Sequence, residues 1–224
     1  MKKVYIVGIG IGNSSFMHQK SIVSIETADC LIGAKRMLDA FSYLNKEIFE
    51  SINANEIFGY INNDNHKTFS VLVSGDTGFY SISKKLTKML MENEQIEIEN
   101  IPAVSSMQYF CSKLNLSWDS MKYVSAHGRD INIISNVMFN KKVFLLTGGE
   151  FKPDDICELL ISKGLGHLKV SVGENLSYEN EKIIEDSALN IAKMNFENLA
   201  VMIIHNHEAL DLSVSLNSIK DGEF

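Results

Sequence analysis

Val4-Tyr5-Ile6-Val7-Gly8-Ile9-Gly10-Ile11-Gly12-Asn13-Ser14-Ser15 is the stretch from which the fold is read. A short apolar run rich in β-branched residues stops at three alternate glycines, and the polar residues that follow suit a helix cap, with Ser14 or Ser15 expected in that place. The reading is strand, tight turn, helix. Glycines at the carboxyl end of a buried strand let the main chain turn sharply and come close to a flat ligand. A dinucleotide turn wants G-x-G-x-x-G, and here the third glycine comes one residue early. No G-x-x-x-x-G-K-[ST] occurs either, so a P-loop is unsupported.

Working outward, 224 residues suffice for one large domain or two small ones, and 45% apolar with 22% charged residues is ordinary for a globular protein. No apolar run reaches the ~20 residues that span a bilayer, and Met-Lys-Lys runs straight into the first strand without a cleavage site. No membrane segment and a cytoplasmic location are expected. Cys30, Cys111 and Cys157 are odd in number and sit in apolar surroundings, which reads as buried free thiols. His205 and His207 suit one face of a strand, but without a third ligand at metal spacing no metal is expected. The net charge of −7 argues against nucleic acid as partner. Of the 21 basic side chains all but Arg36 and Arg129 are lysine. Arginine is the bidentate clamp for carboxylates, so these two stand out.

Further along, residues 15–28 show helical spacing, 29–33 read as a strand and 34–41 as a helix with Lys35 and Arg36 in its first turn; the polar stretch 42–65 is ambiguous, with a candidate strand at 47–49 and a candidate helix at 56–61. Phe69 to Ser74 is the next clear strand, and it ends in Gly75-Asp76-Thr77-Gly78-Phe79-Tyr80 before a helix to about Met91. Asp76 has two open readings, a local backbone cap or a ligand group. Residues 96–99 alternate as a strand, and Pro102-Ala-Val-Ser105-Ser106 leads into a helix whose two hydroxyls either cap it or meet a cofactor. Three such turns on one edge of a parallel sheet outline a cleft.

A second half follows a turn near 116–120. Lys122 to Ser125 reads as a strand ending in His127-Gly128-Arg129, then a helix over 131–139, a strand over 142–147, and a helix over 153–163 with Pro153 in its first turn. Residues 169–173, 181–184 and 199–204 supply further strands, and the acidic stretch from Asn206 onward is expected to pack loosely. The His127-Gly128-Arg129 segment is either a plain polar turn or a site in which Arg129 clamps an anion and His127 bonds or moves a proton. The expected organisation is α/β, with domains over 1–116 and 117–224.

In their order and spacing, Gly8-Ile-Gly-Ile-Gly12, Ser74-Gly-Asp-Thr-Gly-Phe-Tyr80 and Pro102-Ala-Val-Ser-Ser106 resemble the tetrapyrrole (uroporphyrinogen/corrin) methylases, over about Lys3 to Ile204. Gly33-Ala-Lys-Arg36, Asn115-Leu-Ser-Trp-Asp119 and Val124-Ser-Ala-His-Gly-Arg129 are similar to the members that methylate C-5 of corrin precursors. The chain departs from the usual motifs at Ile11, Thr77 and Ala103, where the family commonly has Pro, Pro and Gly. The resemblance implies two α/β domains with S-adenosylmethionine in the cleft between them, and a homodimer. Gly8, Gly10, Ile11, Gly12, Gly75, Asp76, Phe79, Ser105 and Ser106 would line the cofactor, with Thr147 (or Leu146) and Ala200 added from the second domain.

The resemblance also implies a corrinoid substrate that carries several carboxylates. Arg36 and Arg129, with Lys35, are the candidate clamps, and His127 is the candidate proton acceptor. C-15 methylation and decarboxylation are coupled to the C-5 step in that family, and 224 residues leave no room for that domain, so a separate partner enzyme is expected. The alternatives are a methylase of the same fold acting on another tetrapyrrole position, on diphthine or on ribosomal RNA, or a non-catalytic cofactor-binding module.

Overall fold

The computed structural model describes residues 1–126, 132–149 and 151–210. The chain divides into two compact units, Met1–Tyr109 and Phe110–Phe224. In the first, β1 (Lys2–Gly8) is followed by a 3-10 turn (Ser14–Phe16), α1 (Gln19–Thr27), β2 (Cys30–Gly33), α2 (Lys35–Asp39) and β3 (Glu47–Glu50). Then come α3 (Ala54–Asn63), β4 (Thr68–Val73), α4 (Ser83–Leu90), β5 (Ile96–Ile101) and α5 (Ser106–Lys113), the last ending in the second unit.

The five strands form an all-parallel sheet in the order β3-β2-β4-β1-β5. Alternation along β1 sends Val4 and Ile6 to one face and Val7 to the other. The first face packs on Ile57 and Ile61 of α3 and Leu86 and Leu90 of α4; the second packs on Ile25 of α1 and Met37 and Leu38 of α2. Both faces of the central strands are covered, so β1, β2 and β4 are largely apolar runs, while the edge strands β3 and β5 carry glutamates. The connections leaving β1 and β4 lie on opposite faces although the strands are neighbours, which places the sheet's switch point between their carboxyl ends, where ligands bind in such folds.

The start of the first helix differs from the sequence reading. Neither Ser14 nor Ser15 is a cap: Asn13 accepts from the Ser15 N–H at 2.9 Å to close the 3-10 turn, and α1 begins only after His18, whose ring nitrogen accepts from the Lys20 N–H. Met17 separates the two turns in an extended conformation and packs on the core beneath α1 and α2. Burial of that side chain interrupts an otherwise helical stretch.

The second unit holds β6 (Lys122–Ser125), α6 (Ile133–Met138), β7 (Lys142–Leu146), α7 (Pro153–Ser162), β8 (Lys169–Glu174), β9 (Lys182–Ser187), α8 (Ala188–Ile191) and β10 (Ala200–His205). Its mixed sheet runs β6-β7-β10-β8-β9, with only the β6–β7 pair parallel. Val143, Leu145, Val172 and Met202 meet Ile156, Cys157 and Leu160 of α7 in its core.

Three details of this unit correct or extend the sequence reading. The single-turn α8 was not foreseen. His205 is buried at the end of β10 while His207 is exposed beyond the strand, so the two do not share a strand face. Asn206 is tied down, its side chain donating to the Val137 carbonyl at 3.0 Å and its N–H to Lys141, so the loose packing expected from there onward is not found at that residue. Residues 211–224 lie outside the described residues.

Candidate functional site

The three glycine- and serine-bearing turns are knit together at the carboxyl edge of the first sheet. Gly8 and Val73 are register partners on β1 and β4, so the turns that follow start side by side. Gly10 and Gly75 then exchange main-chain hydrogen bonds, at 3.2 Å from the Gly10 N–H and 2.9 Å from the Gly75 N–H. Both take positive φ, +72° and +68°, a conformation strained for a side chain. A Cβ on Gly8 would lie 2.9 Å from both the Ala103 Cβ and the Gly75 carbonyl, so the third turn packs directly on the first two. Among the described residues, a Cβ on Gly75 would meet nothing within 4 Å. The main chain there is open to a ligand.

Asp76 does what neither sequence reading anticipated alone. One carboxylate oxygen accepts from the Gly78 N–H at 2.8 Å, closing its own turn. The other accepts from the Ala103 N–H at 2.9 Å, fastening the second turn to the third. Ser105 is buried and forms a reciprocal cap with Gln108: its hydroxyl accepts from the Gln108 N–H, and the Gln108 carbonyl oxygen accepts from the Ser105 N–H at 2.9 Å. The S-x-x-Q spacing of residues 105–108 is the sequence signal of this cap. Ser106 opens α5 and is half-buried.

Around these turns stand Ile11, Phe79 and Tyr80. The Phe79 and Tyr80 rings meet edge to face at 4.9 Å between centroids. Arg36 lies exposed at the rim, one guanidinium nitrogen donating to the Ser74 hydroxyl at 3.3 Å. Lys35 is paired with Asp39 one turn along α2, at 2.9 Å, and this partner raises its pKa. His127 and Arg129 lie outside the described residues. In the second unit Thr147 and Ala200 come together: the buried Thr147 hydroxyl donates to the Ala200 carbonyl at 2.7 Å, between the end of β7 and the start of β10. Ala103, Ser74 and Tyr80, which had no assigned role in the sequence, belong to the same turn cluster.

The cysteines take no part in this chemistry. All three are buried free thiols, and burial pushes Cys30 and Cys111 up to about 11 and Cys157 to about 12. Among the described residues no group of three or more His, Cys, Asp or Glu is placed to hold a metal ion, and no helix is long and apolar enough to cross a membrane.

A parallel sheet with glycine turns bridged at its switch point, followed by a mixed five-stranded unit, defines a two-unit α/β protein. The chain belongs to the tetrapyrrole (corrin/porphyrin) methylases, whose family model matches residues 3–192. It is 33% identical over 214 residues to the probable cobalt-precorrin-7 C(5)-methyltransferase of Methanocaldococcus jannaschii, covering 92% of this chain and 100% of that one. To the cobalt-precorrin-7 C(5)-methyltransferase of Salmonella typhimurium it is 32% identical over 202 residues, covering 89% and 97%. Among solved structures it superposes on the uroporphyrin-III C-methyltransferase of Thermus thermophilus complexed with S-adenosylhomocysteine, with a TM-score of 0.73, 14% identity, and coverage of 91% and 97%.

Proposed function

We propose that this chain is an S-adenosylmethionine-dependent C-methyltransferase of corrin biosynthesis that methylates C-5 of cobalt-precorrin-7. The observation that carries the reading is the likeness, over nearly the whole of both chains, to two relatives that bear this activity in their names. The open main chain at Gly75, held by its bridge to Gly10, suits the approach of a flat adenosyl group. Bound S-adenosylmethionine supplies an activated sulfonium methyl group for in-line attack by an electron-rich bridging carbon of the reduced macrocycle.

The protein's own task is alignment and exclusion of water. Gly8, Gly10, Ile11, Gly12, Gly75, Asp76, Phe79, Ser105 and Ser106 are the proposed cofactor residues of the first unit, with Thr147 and Ala200 from the second. Asp76 acts by fixing the main chain of two turns, and Ser105 by fixing the start of α5. Arg36 binds a substrate carboxylate at the rim, with Arg129 as a second clamp and His127 as the group that takes the proton lost after attack. A homodimer in the cytoplasm, working with a separate C-15 methylating and decarboxylating enzyme, completes the proposal.

Two measurements test it. Calorimetric titration with S-adenosylhomocysteine, with NAD in parallel, is expected to show binding of the first and not the second. Transfer of labelled methyl from S-adenosylmethionine to cobalt-precorrin-7, located at C-5 by NMR, tests the reaction. Methylation at another position, or binding without transfer, overturns the assignment.

A further inference from the structure

We propose that Tyr80 is a substrate-binding residue, its half-exposed ring forming the apolar platform against which the flat tetrapyrrole packs. It stands on the turn whose first residue, Ser74, holds the carboxylate clamp Arg36. The proposal rests on the tetrapyrrole reading of the site and adds to it the group that meets the macrocycle's face.

The argument starts from the backbone. Among the described residues five non-glycines have positive φ, and they are Asn45, Asn115, Asn175, Ser177 and Tyr80. Asparagine reaches this region readily because its short side chain bonds locally, whereas a bulky residue there is strained. Tyr80, at φ +49°, is the bulky one. Glycine or asparagine would make the same turn at lower cost. Burial does not repay the difference in full, since Tyr80 is 45% exposed. Its ring meets that of Phe79 edge to face, at 4.9 Å between centroids. An outlier of this kind persists where its surroundings over-determine it and where the side chain has work to do.

The surroundings do over-determine it. Asp76 closes the turn onto Gly78, the Phe79 N–H donates to the Asp76 carbonyl at 3.3 Å, and the Ser83 hydroxyl bonds the Thr77 carbonyl. The Ser83 N–H donates to the Ser81 hydroxyl at 3.2 Å, so the chain is fixed on both sides of Tyr80. The ring therefore rises from a fixed main chain, in the connection that leaves the carboxyl end of β4 for α4. A reduced tetrapyrrole offers a broad apolar face ringed by carboxylates. An aromatic ring on this turn and the guanidinium of Arg36, which α2 carries and which bonds the turn's first residue, answer both features.

The test separates the ring from the backbone it rides on. Tyr80→Asn and Tyr80→Gly keep the left-handed turn and remove the ring; Tyr80→Phe keeps the ring. With cobalt-precorrin-7 as the probe in the methyl-transfer assay, the Asn and Gly variants are expected to raise KM about tenfold. Their affinity for S-adenosylhomocysteine, read by calorimetry, is expected to stay within about twofold, and Tyr80→Phe to bring KM back towards that of the unmodified protein. An unchanged KM in the Asn and Gly variants overturns the proposal. So does a parallel loss of S-adenosylhomocysteine affinity, which would make Tyr80 a support of the cofactor turn. If the unmodified protein itself transfers no methyl group to cobalt-precorrin-7, the reading beneath falls and takes this one with it, an outcome distinct from an active protein indifferent to residue 80.

Discussion

Asp76 shows how one side chain joins what the sequence keeps 27 residues apart. Both oxygens accept main-chain N–H groups, and a carboxylate is the one side chain that offers two acceptors and no donor there. Asp76→Asn turns one of these bonds into a donor facing a donor, and is expected to lower stability by about 1–2 kcal/mol in urea unfolding. Affinity for S-adenosylhomocysteine is expected to fall with it, because the second and third turns part. Loss of affinity with no loss of stability would instead mark Asp76 as a direct ligand contact. Gly8→Ala tests the same junction from below. Its new methyl would press on Ala103 and the Gly75 carbonyl at 2.9 Å. Overpacking of this kind costs about 1–3 kcal/mol and is expected to weaken cofactor binding as well, as read by thermal shift with and without ligand. In the sequence these residues signalled a turn through composition alone. The Ala103 N–H, being main chain, left no signal at all.

Elements were more legible than their ends. The central strands β1, β2 and β4 were readable because a strand covered on both faces is a run of apolar residues between turn signals, whereas the exposed edge strand β3 was ambiguous in the sequence. The start of α1 was not, because Met17 is drawn into the core by packing that no local pattern carries. The single turn of α8 is too short to show a period, and His205 and His207 read as sharing a strand face because alternation does not reveal that the strand ends at His205. The structure puts His205 Nε2 3.0 Å from the Ser171 hydroxyl, which donates to Glu185 at 2.6 Å, linking β10, β8 and β9. Burial is the main cause that lowers the His205 pKa to about 4; Lys169, Lys142 and His207 add to it and Glu185 opposes it. A depressed histidine is neutral in the folded state and charged more readily in the unfolded one. Its stabilisation is therefore complete above the unfolded value of about 6.5 and is lost as pH falls towards 4. Unfolding free energy is expected to drop by up to about 3 kcal/mol across that window, and His205→Gln to flatten the drop. Equal pH profiles for the two proteins would exclude His205 as the source.

Charge acts on the molecule as a whole. The protein carries −7 at neutral pH and the proposed substrate is a polycarboxylate, so on that proposal the two repel at long range while the proposed clamp Arg36 attracts at contact. Salt separates these contributions, since the screening length shrinks from about 30 Å at 0.01 M to about 8 Å at 0.15 M. A repulsion between whole bodies is screened over that range, and a guanidinium–carboxylate contact much less so. The association rate for cobalt-precorrin-7 in stopped flow is therefore expected to rise several-fold with added salt. S-adenosylhomocysteine, which has no net charge, is expected to show little change. Arg36→Ala is expected to keep the rise, because it leaves the protein still more acidic, while raising KM for the tetrapyrrole by about tenfold at every salt concentration. A rate that falls with salt would mean that the basic groups near the rim outweigh the acidic body in steering the substrate. Arg36→Ala would then reverse the slope, and the local field of the turn cluster would govern capture as well as hold.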